Sequence, residues 1–426
     1  MASSSNSLAN NVTRQLARTF LDSFESSRVL TKAVDTQLLS GRFSPKSGTT
    51  VDFKRPHDFK TERTSGGDIS SVDNNDLIAA KATGTVQNFF TVHLDFDSVD
   101  EALKLDQLDQ IIAPAAKRIV TDLEVDFGAY MYKNCNLHYG APDTAVDAWG
   151  DVAGANALMD SMGVPNDGNR HYVMNPYTVA NLANTQSGLA SGDNSLINSA
   201  WQNSQISNKF AGLKAMTSNS LASYTSGSAT DRAGTINGNP DVTYATNKDT
   251  MTQSITVAAF GAGTDTIKAG EIVEVTGRQR ISLSTRTAFT DGAGAQVKWS
   301  GVVTADVTLS GGGGTIVVAG PALYEANGQY NTTDSAVVSG DVITILGTAS
   351  TVYQPNMFFH KQAFGIGSVA LPKLYSTDTI ATTSDGIQIR CSKYSDGSAN
   401  KQKIRFDLLP AYATFNPFFA GQGFGV

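Results

Sequence analysis

Between residues 224 and 350 the chain changes texture, and that interruption limits the folds open to it more than any other feature. Apolar and polar residues alternate over 255–259, 272–275, 280–284, 297–309, 315–319 and 337–346, with Gly and Asn punctuating the runs. Period-two alternation broken by turn residues predicts an all-β insertion, most simply a small barrel. The stretches on either side mix helical and strand patterns, so residues 351–426 complete a domain that the insertion interrupts. An insertion with its own alternating strands and adjacent ends is expected to fold by itself.

Helical signals dominate the first third. Leu8, Val12, Leu16, Phe20 and Phe24 recur every fourth residue, which places them on one helix face. Residues 26–39 read as a second short helix, ended near Gly41. An amphipathic helix this near the first residue can pack on its own core, or it can serve as an arm for a neighbour or an assembly partner. Ser98 and Glu101 form a capping box, and Pro114 fits the first turn of a new helix over 114–134. That helix carries an apolar face of Ile119, Val120, Leu123, Phe127, Tyr130 and Met131, the spine of a domain. Its carboxylates (Asp106 and Asp109 before it, then Asp122, Glu124 and Asp126) read as a solvated or intersubunit face, with Lys117 and Arg118 to pair against. Residues 140–223 alternate short helices (145–162, 176–185, 195–203) with a strand at 172–174.

Residues 41–96 differ again. Strand-like flanks at 51–53 and 86–96 enclose a long loop with Pro56, Gly66-Gly67 and interleaved charges. A long polar loop within a compact chain is either functional or disordered, and this one reads as an extended hairpin whose interleaved charges suit it to lie across a neighbouring subunit. Its contact candidates are Lys54, Arg55, Lys60, Glu62 and Arg63. In the insertion, the polar turn with Lys248 and Asp249 is the matching candidate.

Composition and motifs argue against catalysis and membrane insertion. Only 17% of the 426 residues are charged, the net charge is −7, and no run of Lys and Arg offers the basic patch that nucleic-acid backbones need. No apolar stretch reaches the ~18 residues of a membrane span, and no export signal is evident. Phosphate-loop, zinc-protease and nucleophile-elbow motifs are absent. His57, His93, His138, His171 and His360 are scattered singly, and Cys135 and Cys391 read as buried free thiols. No catalytic, cofactor or metal residue is expected.

Several collinear segments resemble the coat proteins of short-tailed P22-like phages, especially the Shigella phage Sf6 branch. They are residues 54–57 (KRPH), 67–70 (GDIS), 81–84 (KATG), 101–124 (EALKLDQLDQIIAPAAKRIVTDLE), 200–206 (AWQNSQI), 218–223 (SNSLAS), 365–376 (GIGSVALPKLYS) and 393–416 (KYSDGSANKQKIRFDLLPAYATFN). Within the insertion only its closing residues 347–350 (GTAS) join them. The resemblance implies an α+β, HK97-like phage capsid fold. Its parts would be an N-arm (1–40), an E-loop (41–96), a P-domain with spine helix (97–139), an A-domain (140–223), an inserted β-barrel I-domain (224–350), and a closing segment (351–426). It also implies a major capsid protein whose hexamers and pentamers form an icosahedral shell, commonly with seven quasi-equivalent positions. Assembly would take place in the host bacterial cytoplasm with a scaffolding protein and a portal protein, giving a procapsid that expands around double-stranded DNA. A decoration protein is a further partner that the resemblance leaves open. Scaffold contacts in such proteins run through N-arm charge. Here the arm mixes Arg14, Arg18, Asp22, Glu25, Arg28 and Lys32, with Leu8, Val12, Leu16, Phe20 and Phe24 as its apolar switch face.

Two other readings compete. An encapsulin-like compartment would share the fold but enclose protein cargo. A secreted β-rich hydrolase or adhesin would share the Gly/Thr/Ser-rich strands but needs an export signal.

Overall fold

The computed structural model describes residues 8–39, 43, 48–70, 75–97, 108–187, 203–204, 206–261, 263–375 and 378–426. They form two compact units. One comprises Met1–Asp52, Thr83–Phe127 and Phe364–Ala413, and the other Phe53–Ala82, Gly128–Ala363 and Thr414–Val426.

In the first unit, helix α1 (Leu8–Ser27) buries Leu16, Phe20 and Phe24. It lies on an antiparallel sheet ordered Thr379–Thr382, Gln388–Asp396, Lys401–Leu408, Phe90–Asp97. The fourfold spacing of those residues makes the stripe, and Phe406 on the sheet stacks on Phe20 with centroids 4.2 Å apart. The expected second helix over 26–39 is instead two 3₁₀ turns, Leu30–Lys32 and Gln37–Leu39. The helix cannot continue because a side chain outside it takes its next backbone amides. Glu124 accepts from the N–H of Val29 (3.2 Å), Leu30 (2.6 Å) and Thr31 (3.0 Å).

Helix α2 spans Leu108–Lys133 with Pro114 inside it rather than at its start. Proline removes one i→i−4 bond and crowds one carbonyl. The apolar face from Ile112 through Ile119 and Leu123 is buried on both sides of that point, which holds the helix through it. The Ser98–Glu101 capping box and Asp106 lie outside the described residues, as does the side chain of Asp109. The hairpin is also paired differently from expectation. Thr50–Lys54 has Lys81–Val86 as its neighbour, in a sheet with Pro410–Thr414 and Phe364–Ser368, while Phe90–Asp97 is an edge of the other sheet.

The second unit holds a six-stranded sheet ordered Leu137–Tyr139, Ala420–Gly423, Asn356–His360, Arg170–Met174, Leu213–Thr217, Lys209–Phe210. Helices α3 (Trp149–Met162) and α4 (Pro176–Ser187) bury Val152, Met159, Met162 and Leu182 against Tyr172, Met174 and Phe358. Asp151 accepts the N–H of Asp147 and Ala148 at the start of α3, and Gly163 at φ +80° ends it in the left-handed conformation that glycine favours. The expected helix over 195–203 lies outside the described residues apart from Asn203.

The insertion contains a closed barrel in the order Thr252–Ala258, Gly314–Ala319, Lys298–Val303, Ile272–Gln279, Val342–Ile345, Ala233–Ile236. Alternation sends Ile255, Val257, Val273, Val275, Ile316, Val318, Ile343 and Ile345 inward around Trp299. The expected strand at 280–284 is reduced to isolated bridges, Arg280 with Thr333 and Ile281 with Ala288. The run 297–309 splits into Lys298–Val303 and Val307–Thr308.

Buried amides fix the barrel to the six-stranded sheet. Asn136 donates to the carbonyls of Ser300 (2.8 Å), Ala319 (3.2 Å) and Gly320 (3.2 Å), while Arg280 donates to Asn136 and to Ser300. Gly320, at φ +76°, has no room for a Cβ, which would sit 2.6 Å from that of Asn136. Burial pushes the Arg280 pKa down to about 10.

Candidate assembly surfaces

The loop joining Thr50–Lys54 to Lys81–Val86 carries most of the contact candidates, and the structure separates them. Lys54, Glu62 and Arg63 are exposed. Lys60 pairs with Glu62 at 3.2 Å within the loop. Arg55 turns inward. Its Nε donates to Lys81 O (2.9 Å), its terminal nitrogen donates to Phe415 O, and burial lowers its pKa to about 10 against the raising influence of Tyr244, Asp249 and Tyr130. Asp249, paired with Lys248 at 3.2 Å, accepts the Lys81 N–H at 3.2 Å, so that turn also serves its own chain. Charge interleaving alone could not sort these residues, because facing a carbonyl and facing water give the same sequence pattern.

Sequence reasoning did not single out the apolar residues of the loop. Phe59, Ile69 and Leu77 are 56%, 69% and 75% exposed. These are the large apolar side chains that the described part of the loop presents to solvent.

On the arm, Leu16, Phe20 and Phe24 are buried in their own subunit, and Arg14 and Arg18 are exposed. The side chains of Leu8 and Val12 lie outside the described residues. Arg28 is no exposed handle. It is 4% exposed, pairs with Asp385, and lies over the Phe24 ring at 5.6 Å. Glu124 likewise leaves the expected solvated face of α2, being 1% exposed and also accepting from the Thr31 hydroxyl at 2.6 Å. Arg118 and Asp122 do pair, at 3.0 Å.

Among the described residues, no group of three or more His, Cys, Asp and Glu could hold a metal ion, and no helix is long and apolar enough to cross a membrane. His138 bridges Ser300 (3.0 Å) and Glu274 (3.3 Å), and His360 meets Asp167 at 3.0 Å. His171 stacks on Phe359, and its pKa is lowered to about 4 by burial and then by Lys214, His360 and Lys361. Cys135 and Cys391 are buried and free, with burial pushing both thiols up to about 12.

The family model described as P22 coat protein, gene protein 5, matches residues 1–425. A major capsid protein of Acyrthosiphon pisum secondary endosymbiont phage 1 is 41% identical over 424 residues, 99% of each chain. Similar solved structures include one from Mycobacterium phage Che8 (13% identity, TM-score 0.46, covering 93% of this chain and 90% of that one). Another is the capsid of Ralstonia phage GP4 (9% identity, TM-score 0.41, covering 95% and 91%). A match of this extent places the chain among phage coat proteins. It belongs to the P22 coat protein family.

Proposed function

We propose that this major capsid protein, with the HK97-like fold, forms the icosahedral head shell enclosing the double-stranded DNA of a tailed phage. The shell arises through a scaffold-assisted procapsid that expands on maturation, with a portal at one vertex, and assembly takes place in the host cytoplasm. The observation that carries the reading is the family match over residues 1–425. The exposed Phe59, Ile69 and Leu77 on the long loop are apolar area that a neighbouring subunit would cover. Closed shells need surfaces that recur around every axis, and stable contacts bury at least about 1,000 Å². Sedimentation and electron microscopy of the chain co-expressed with a scaffolding protein should show closed particles. A stable monomer under those conditions would overturn the proposal.

The loop and the strand end that leads into it are proposed to lie on a neighbouring subunit, with Lys54 and Arg63 supplying charge. Exposed pairs contribute only about 0–1 kcal/mol each, so the effect comes from repetition around the shell. The double variant Lys54→Glu with Arg63→Glu is expected to melt like wild type and assemble poorly. Wild-type particle yields would remove these residues from the contact. Arg55→Glu should instead disturb the subunit itself, because it sets a carboxylate against the carbonyls of Lys81 and Phe415. On the arm, the exposed Arg14 and Arg18 are proposed as the scaffold's electrostatic handle, weakened by salt.

A further inference from the structure

We propose that Gln329 is a positioning residue for the loop 55–80: it fixes the root of the loop so that the tip leaves the subunit in one direction. Gln329 belongs to the irregular segment between barrel strands Gly314–Ala319 and Val342–Ile345. It is 8% exposed, and its amide ties together two stretches of the loop that are far apart in sequence. Its Nε2 donates to Asp58 O (3.0 Å) and Asp76 O (2.8 Å), and its Oε1 accepts the Asp76 N–H (3.2 Å). One primary amide thereby satisfies three backbone groups of a segment with no regular secondary structure at either point. Water could satisfy the same groups in a free loop, but it would impose no geometry.

Neighbouring groups restrict the same root. The Asp58 carboxylate pairs with Arg286, whose other terminal nitrogen donates to Asn331 O at 2.6 Å. Tyr330 stacks on Tyr244 with centroids 3.7 Å apart, in a small apolar cluster with Ala80, Leu323 and Ile78. Beyond the root, Thr61, Glu62, Arg63 and residues 65–70 are exposed. The insertion therefore does more than add a barrel: through Gln329 it aims the loop that carries the exposed apolar residues. An aimed loop meets its partner without first losing the freedom of its root, and such pre-organisation strengthens association. This inference rests on the capsid reading for its consequence, but its geometric part does not.

The test has two arms on the full-length chain. In the unassembled subunit, Gln329→Ala should speed hydrogen exchange at the Asp76 amide by about tenfold, the equivalent of one lost hydrogen bond, while the amides of Val302 and Val318 in the barrel stay unchanged. Unchanged exchange at Asp76 overturns the proposal, and so does equal acceleration in the barrel, which would make Gln329 part of the core. With scaffold, Gln329→Ala should give fewer or misshapen shells where wild type gives uniform ones. Uniform shells from the variant also overturn it. If wild type itself makes no shells, the capsid reading fails, whereas the exchange result still decides the role of Gln329. Should Gln329→Ala not fold, Gln329→Glu takes its place. That replacement keeps the volume but retains the acceptor of the Asp76 N–H, so it is read by assembly alone; the exchange arm then uses Gln329→Met, which keeps much of the volume and loses all three bonds, with the same outcomes.

Discussion

Replacing Leu16 and Phe20 together by Ser is expected to unfold the subunit rather than merely misdirect its assembly. Phe20 is fully buried against Phe406 and Leu16 is 2% exposed, both within their own chain. Truncating a buried Phe loses about 3–5 kcal/mol and a buried Leu about 2–5 kcal/mol. Their sum rivals the whole stability of a typical domain, about 5–15 kcal/mol. The variant should be insoluble or lack a cooperative melt, while Arg14→Ala and Arg18→Ala on the exposed side should lie within about 0.5 kcal/mol of wild type. A soluble double-Ser variant with a normal melt but aberrant particles would mean that the stripe serves a partner. An arm that moved during maturation would have to leave this groove. Stripping Leu16, Phe20 and Phe24 would forfeit roughly 1.5–3 kcal/mol each, so a second groove must match the first.

The second large effect is expected at Glu124. A carboxylate at 1% exposure is tolerable because four donors surround it, three of them backbone amides at the turn after α1. Glu124→Ala orphans those amides, and each buried donor left unpaired costs about 1–3 kcal/mol. Glu124→Gln should do little better, because half of its head group is a donor facing donors. Urea denaturation of both variants measures this. A Glu124→Gln variant with an unshifted midpoint would show that the contact carries no weight.

The barrel and the family were legible from the residues, whereas the polar joints were not. Ile255 and Val257 alternate with exposed neighbours as an inward-facing strand must, and both point into the barrel core. The stripe on α1 was equally visible, though periodicity says that a face is covered and not by which chain. Glu124 illustrates the harder case. Its spacing along α2 matches that of a solvated carboxylate, and only the turn after α1, 93–95 residues earlier, reveals why it is buried. Gln329 carries no periodic signal, and its partners lie more than 250 residues away. Arg55 sits in a charged run in which Lys54, Glu62 and Arg63 face water, and interleaved charge carries no sign of which member turns inward.

The six-stranded sheet also has a history in time. Arg170–Met174 is buried along its whole length and pairs with Leu213–Thr217 on one side, but its other side waits for Asn356–His360. At about 5–20 residues per second of synthesis, the 186 residues from Asn175 through His360 take roughly 10–40 s to appear. Throughout that interval a strand buried along its length in the finished sheet presents one unpaired edge, the geometry that recruits strands from other chains. The barrel strands are made within the same interval, and their closed ring offers no edge in return. A chain made in many copies at once therefore carries a risk of misassembly already on the ribosome, before any shell begins to form.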